Sequence, residues 1–118
     1  MEFRLLGSND SDVLENVAPE VFDNPIDPEA CARFLADPRH HITVAIERGT
    51  VIGMLTAVEY FHPDKPVELW INEVGVAPDF QRAGVGSRFI EMMLDHGRKL
   101  GCREAWVLTE KDNAAANG

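Results

Sequence analysis

Nowhere does the 118-residue chain approach the roughly 18 consecutive apolar residues that a membrane-crossing helix needs. Its opening, Met1-Glu2-Phe3-Arg4-Leu5-Leu6, lacks the long apolar stretch of a secretory leader. The cytoplasm is therefore the expected location, and no membrane partner is expected. Cysteine is scarce: Cys31 and Cys102 are the two, neither in a CxxC pair, which speaks against a disulfide framework and against a zinc site. Both read as reduced, buried thiols. The four histidines, His40, His41, His62 and His96, show no metal-site spacing, so no metal is expected. Basic residues are also in short supply, 11 Lys and Arg against 20 Asp and Glu, for a formal net charge of -9. That balance disfavours non-specific contact with nucleic acid or an anionic membrane. It suits a cationic or amine-bearing substrate, although solubility alone explains it equally well.

What is present is ordinary for a globular protein, with 45% hydrophobic and 26% charged residues. Residues 1–118 form one domain without repeats or an internal linker. A strand is expected at 3–6, then a short helix after the cap-rich stretch Gly7-Ser8-Asn9-Asp10-Ser11-Asp12. A helix with Pro28 in its first turn should span 28–36 and stop at Asp37-Pro38. Two β-branched runs, 41–47 and 51–61, flank Arg48-Gly49-Thr50 and predict an antiparallel hairpin. Another strand should cover 67–76. A helix over 84–100 should then carry an apolar stripe of Val85, Phe89, Met92, Met93, His96 and Leu100, with Gly101 after its end. The run 103–109 should return as a strand parallel to 67–76, because a helical crossover joins the two.

Between that strand and that helix lies Gln81-Arg82-Ala83-Gly84-Val85-Gly86. Glycines there let backbone N–H groups converge on an anion at a helix N-terminus, so a phosphorylated ligand is expected. No Gly-Lys-Ser/Thr follows for a P-loop, and Phe89 stands where GxGxxG needs its third glycine. A turn that merely packs the helix is the competing reading.

The whole stretch Ile71-Asn72-Glu73-Val74-Gly75-Val76-Ala77-Pro78-Asp79-Phe80-Gln81-Arg82-Ala83-Gly84-Val85-Gly86 resembles the central motif of the GNAT superfamily of N-acetyltransferases. The likeness continues through the helix into Trp106-Val107-Leu108-Thr109 and to Asn113, which fits the asparagine that opens the family's next helix. It implies an α/β (α+β) fold with a mixed, mostly antiparallel central sheet and a parallel strand-helix-strand crossover. It also implies acetyl-CoA as cosubstrate, with Gln81, Arg82, Ala83, Gly84, Val85 and Gly86 holding the pyrophosphate through main-chain N–H groups. Val74, Gly75 and Val76 would pair with the pantetheine arm, and Asn113 would complete the cofactor site.

Glu73 is the expected catalytic base. Strict alternation along 67–76 puts it in the row of Val67, Leu69 and Ile71, where partial burial would raise its pKa. A bulge would shift that row, and a carboxylate paired with a nearby Arg is the structural alternative. The resemblance agrees, since many GNAT enzymes carry Asp or Glu there to deprotonate the acceptor amine. Glu110 could line the acceptor cleft. Arg82, Arg88 and Lys99 could assist the phosphates, with solvated helix charges as the default.

The family's pattern then breaks. Its next helix usually carries a tyrosine that protonates the departing thiolate, but the sole tyrosine, Tyr60, lies on an earlier strand. A thiol is a tolerable leaving group without it. The family's final strands are missing, which would leave 103–109 as an apolar sheet edge and leads to the expectation of a homodimer. The expected function is acetyl transfer to a primary amine of a small molecule. The Val21-Phe22-Asp23 segment and the 71–86 stretch together look somewhat like the aminoglycoside 3-N-acetyltransferases. A non-catalytic acyl-CoA-binding or interaction module is the alternative.

Overall fold

The computed structural model describes residues 1–102 and 104–107. A short strand, β1 (Glu2–Leu5), leads to a 3-10 turn at Ser11–Glu15 whose Leu14 is buried. The helix α1 (Pro28–Ala36) begins where Pro28 costs no hydrogen bond, and the Asp27 carboxylate accepts from the Glu29 N–H. These bounds match the expected 28–36. The strands β2 (His40–Glu47) and β3 (Thr50–Tyr60) form the expected hairpin, but with a two-residue turn, because Thr50 already pairs with Glu47.

The strand β4 (Glu68–Val76) pairs antiparallel with β3, and the helix α2 (Val85–Lys99) carries the chain over to β5 (Ala105–Val107), which runs parallel to β4. Among the described residues the sheet order is β1-β2-β3-β4-β5. This is the mixed, mostly antiparallel sheet with a parallel crossover that the motif implied. Of the expected strand 103–109, Arg103 and residues 108–109 lie outside the described residues.

One face of the sheet is covered by α2. Phe89 is fully buried there, edge-on to Phe3 at 5.7 Å between ring centres. Its burial contributes about 1.5–3 kcal/mol. The apolar stripe departs from expectation at its end: Leu100 is 39% exposed, and the buried position is taken by Gly97. A methyl group on Gly97 would lie 3.0 Å from Leu69 Cδ2, so the helix approaches β4 too closely for a side chain. On the same face His41 contacts Glu59 at 2.9 Å and His96 at 3.1 Å, tying the last turns of α2 to β2 and β3. Burial, and then the neighbouring His41, push the His96 imidazole below its ordinary pKa. Cys102 is buried as expected, whereas Cys31 is half-exposed, and both are free thiols.

The opposite face is covered by α1 and by the irregular segment before it. The Ala18 N–H donates to Val51 C=O at 2.9 Å, and Val51 N–H donates to Asn16 C=O at 2.9 Å, fixing that segment to the start of β3. It then crosses β4 at Gly75.

β4 does not alternate throughout. Ala57 pairs with Ile71 but Thr56 pairs with Glu73, so Asn72 is an extra residue in β4, a bulge. Buried Leu69 and Ile71 precede it and buried Val74 and Val76 follow it, all on the α2 face. The expected row of Val67, Leu69, Ile71 and Glu73 is therefore corrected: the bulge turns Glu73 to the opposite face. Gly75 shares that face, and a Cβ there would lie 2.0 Å from the Val21 carbonyl oxygen.

Since no real contact is that short, Gly75→Ala must displace the Val21 backbone. The expected cost is about 1–3 kcal/mol or more of unfolding free energy, read by urea denaturation. An unchanged midpoint would show that the crossing segment yields freely.

Candidate active site

The end of β4, the turn after it and the start of α2 form one continuous feature. Pro78–Phe80 makes a single 3-10 turn, and the Gln81 side-chain amide donates back to Val76 C=O at 3.1 Å. Gly84 follows in the left-handed region, φ 77° and ψ 14°, where a residue with a Cβ is strained. It is the last residue before α2. The Arg88 N–H donates to the Gly84 C=O at 3.1 Å, closing the first helical turn. The N–H groups of the first turn thus point out of the helix end, where Gly84 offers no side chain to cap them. Together with the helix dipole they give this end the partial positive charge and donors that suit an anion cradle.

Of the residues expected in the cradle, Gln81, Arg82 and Ala83 are exposed, Gly84 is half-buried, and Val85 and Gly86 are buried against the sheet. Arg88 is engaged away from the cradle: its guanidinium lies 3.4 Å from Glu91 and over the Phe3 ring at 5.9 Å. Lys99 pairs with Asp95 at 3.2 Å at the far end of α2, about 20 Å away at 1.5 Å per residue.

The register separates the roles of the three strand residues. Ala77 N–H donates to Ile52 C=O at 2.8 Å, and Gly53 pairs with Val76. Main-chain direction alternates in an antiparallel ladder, so Gly75 turns its N–H and C=O toward β3. Val74 and Val76 turn theirs to the opposite side, as the Gln81 bond to Val76 C=O confirms. An extended ligand beside β4 can therefore be paired by Val74 and Val76. The place of Gly75 is explained instead by the Val21 backbone crossing it.

Glu73 is half-buried and lines a cavity of about 310 Å³ between β3, β4 and α1. Phe22, Cys31, Phe34, Ile42 and Thr56 line it as well, with Asp23 and Asp27 at its wall. It adjoins a larger cleft of about 720 Å³ that adds Glu15 and Glu20. None of the described lining residues of either is Lys or Arg, so the whole hollow is electronegative. Glu73 and Val76 are three residues apart on one strand, about 10 Å at most. The carboxylate in the hollow and the strand edge beside the cradle are therefore immediate neighbours.

Reading the sequence by strict alternation missed the bulge, although its mark is visible: the apolar parity switches from Leu69 and Ile71 to Val74 and Val76. Thr56, facing Glu73 across the pairing, was also missed and carries no local signal. Glu110 and Asn113 lie outside the described residues. Tyr60 is 54% exposed and makes tilted ring contacts with His62 and Trp70, at 5.0 and 5.8 Å, so it is not placed as a general acid. No group of His, Cys, Asp and Glu able to hold a metal occurs among the described residues.

A comparison with family models decides the family: that of the Acetyltransferase (GNAT) family matches residues 11–118. The chain belongs to this family. Among curated proteins it is similar to N-alpha-acetyltransferase RimI of Mycobacterium tuberculosis (strain ATCC 25618 / H37Rv), 33% identical over 96 residues. That match takes in 81% of this chain and 60% of the relative, so the chain spans about three-fifths of that protein's length. Among solved structures it resembles an aminoglycoside acetyltransferase from an uncultured soil metagenomic sample in complex with sisomicin. The TM-score is 0.76 at 21% identity, covering 97% of this chain and 81% of the other. The aminoglycoside N-acetyltransferase AAC(6')-Iy in complex with CoA gives a TM-score of 0.73 at 18% identity, covering 95% and 78%. At such identities these two likenesses speak for the fold. GNAT membership agrees with the mixed sheet and its parallel crossover.

Proposed function

We propose that this GNAT chain is an enzyme that moves acetyl from acetyl-CoA to a primary amine of a small cationic molecule, with an aminoglycoside as the model acceptor. The observation that carries the reading is the adjacency of a helix N-terminus opened by Gly84, a strand edge at Val74 and Val76, and Glu73 in an electronegative cavity. The cradle has the form that a pyrophosphate needs, and the edge has the form that pantetheine amides need. Acetyl-CoA, when bound, supplies an acetyl thioester. N–H groups from residues 81–86 hold the pyrophosphate, Val74 and Val76 align the arm, and Glu73 takes a proton from the acceptor nitrogen. The acidic lining, Asp23 and Asp27 included, draws in and orients a cation. The cytoplasm is the proposed location, and no helix among the described residues is long and apolar enough to cross a membrane.

A protein N-terminus is the second acceptor class, favoured by the likeness to RimI. Sisomicin and a peptide with a free N-terminal amine, compared by kcat/KM, separate the two.

Acetyl-CoA should raise the melting temperature where NAD and ATP do not, since it alone offers both a pyrophosphate and a pantetheine arm. Glu73→Gln should keep that shift yet lower acetyl transfer by about 10²-fold or more at neutral pH, read by thiol release. Equal shifts from all three nucleotides would remove the cofactor, and unaltered turnover would remove Glu73. A shift without turnover in the parent chain would leave a non-catalytic acyl-CoA-binding module.

A homodimer belongs to the same proposal, because β5 is the outermost strand on its side of the described sheet. Size exclusion with light scattering should give twice the 13.1 kDa chain mass. A monomer at high concentration would refute it.

A further inference from the structure

Two hydroxyls, those of Thr43 and Thr56, are buried without a hydrogen-bond partner among the described residues. They lie on opposite faces of the sheet. Thr43 pairs with Leu55, on the α2 face with Val74 and Val76, and is 0% exposed. Thr56 lies on the other face, is 8% exposed, and lines the cavity that holds Glu73. An orphaned hydroxyl in a closed core is a small constant cost of folding; one at a cavity wall is satisfied whenever a polar occupant enters.

The surroundings of Thr56 narrow what that occupant can be. Its partner in β2 is Ile42, and its same-face neighbours along β3 are Met54 and Val58, all apolar. Its partner in β4 is Glu73, placed opposite it by the Asn72 bulge. Directly paired residues have Cβ atoms about 4.5–5.5 Å apart. A nitrogen seated against both side chains can thus lie about 3 Å from the Thr56 Oγ1 and from the carboxylate together. An amine presents N–H donors to both oxygens, whereas an anion would be repelled by Glu73, Asp23 and Asp27.

From this juxtaposition we infer that Thr56 is an acceptor-binding residue: its Oγ1 accepts an N–H hydrogen bond from the amine that Glu73 deprotonates. The inference rests on the proposed acetyl transfer. Thr56 holds the nitrogen beside the carboxylate and takes no part in bond making or breaking. With the hydroxyl replaced by a methyl group, the amine N–H faces an apolar wall, and binding and orientation both suffer.

The test is a set of near-isosteric variants with sisomicin and an amine-terminated peptide as acceptors. Thr56→Val should lower kcat/KM for the better acceptor about tenfold or more, while Thr56→Ser stays within about threefold of the parent. Thr43→Val should leave the kinetics unchanged. Neither valine variant should lower the melting temperature, because each removes an unsatisfied hydroxyl and keeps the volume. Parental kcat/KM in Thr56→Val, or an equal loss in Thr43→Val, overturns the inference while acetyl transfer stands. If the parent shows no turnover, the acetyl-transfer reading fails by itself, and calorimetric binding of the same two amines decides about Thr56. Tenfold weaker binding to Thr56→Val supports the contact, and equal affinity, or no binding to the parent, overturns it.

Discussion

A single inserted residue, Asn72, governs the geometry of the candidate site. Strand alternation would otherwise commit every second residue of β4 to the same face, and Glu73 would lie under α2 among Leu69, Ile71 and Phe89. A carboxylate without compensation there would cost several kcal/mol. The bulge instead turns Glu73 into the hollow beneath α1 and lets Val74 and Val76 resume the apolar row. It also sets Glu73 opposite Thr56. One extra residue thus reconciles a continuous core with a carboxylate that lines a cavity.

The second constraint is the crossing of β4 by the segment that ends at Val21. It lies against Gly75 so closely that no side chain fits, and it roofs the end of the strand just before the turn into α2. The same segment continues through Phe22 and Asp23 into the cavity wall. Thus the packing that holds the irregular segment on the sheet also shapes the hollow that Glu73 lines. On the far side of β4, the Gln81 amide bound to Val76 C=O anchors the turn from which the helix N-terminus opens. Glu73 in the hollow and the helix N-terminus are therefore joined by one strand end and one turn.

Much of this was legible in the sequence because local chemistry dictates it. Asp27 and Pro28 start α1, Asp37-Pro38 stops it, and the β-branched runs on either side of Arg48-Gly49 give the hairpin. The motif over residues 71–86 pointed to the parallel crossover, and the match to the GNAT family over 11–118 agrees. What escaped depends on residues distant in the chain. Alternation put Glu73 on the wrong face because it assumes a regular ladder, and the parity switch at residues 71 and 74 was not used. Leu100 ended the predicted stripe, yet the close approach of α2 to Leu69 places Gly97 there. Gly75 was expected to pair with a ligand, whereas its main chain faces β3 and its open Cα faces Val21, a contact across 54 positions that no spacing announces. Thr56 became visible only once α1 had closed a cavity over it.

The central claim is that β4 offers a ligand its edge through Val74 and Val76 while presenting Glu73 to the cavity. Residue-resolved amide hydrogen exchange, with and without CoA, tests it most directly. The account predicts added protection at the Val76 and Val74 N–H and at the first turn of α2, with Gly75, bound to β3, equally protected in both states. Protection that rises at Gly75 while Val74 and Val76 stay unchanged would contradict it.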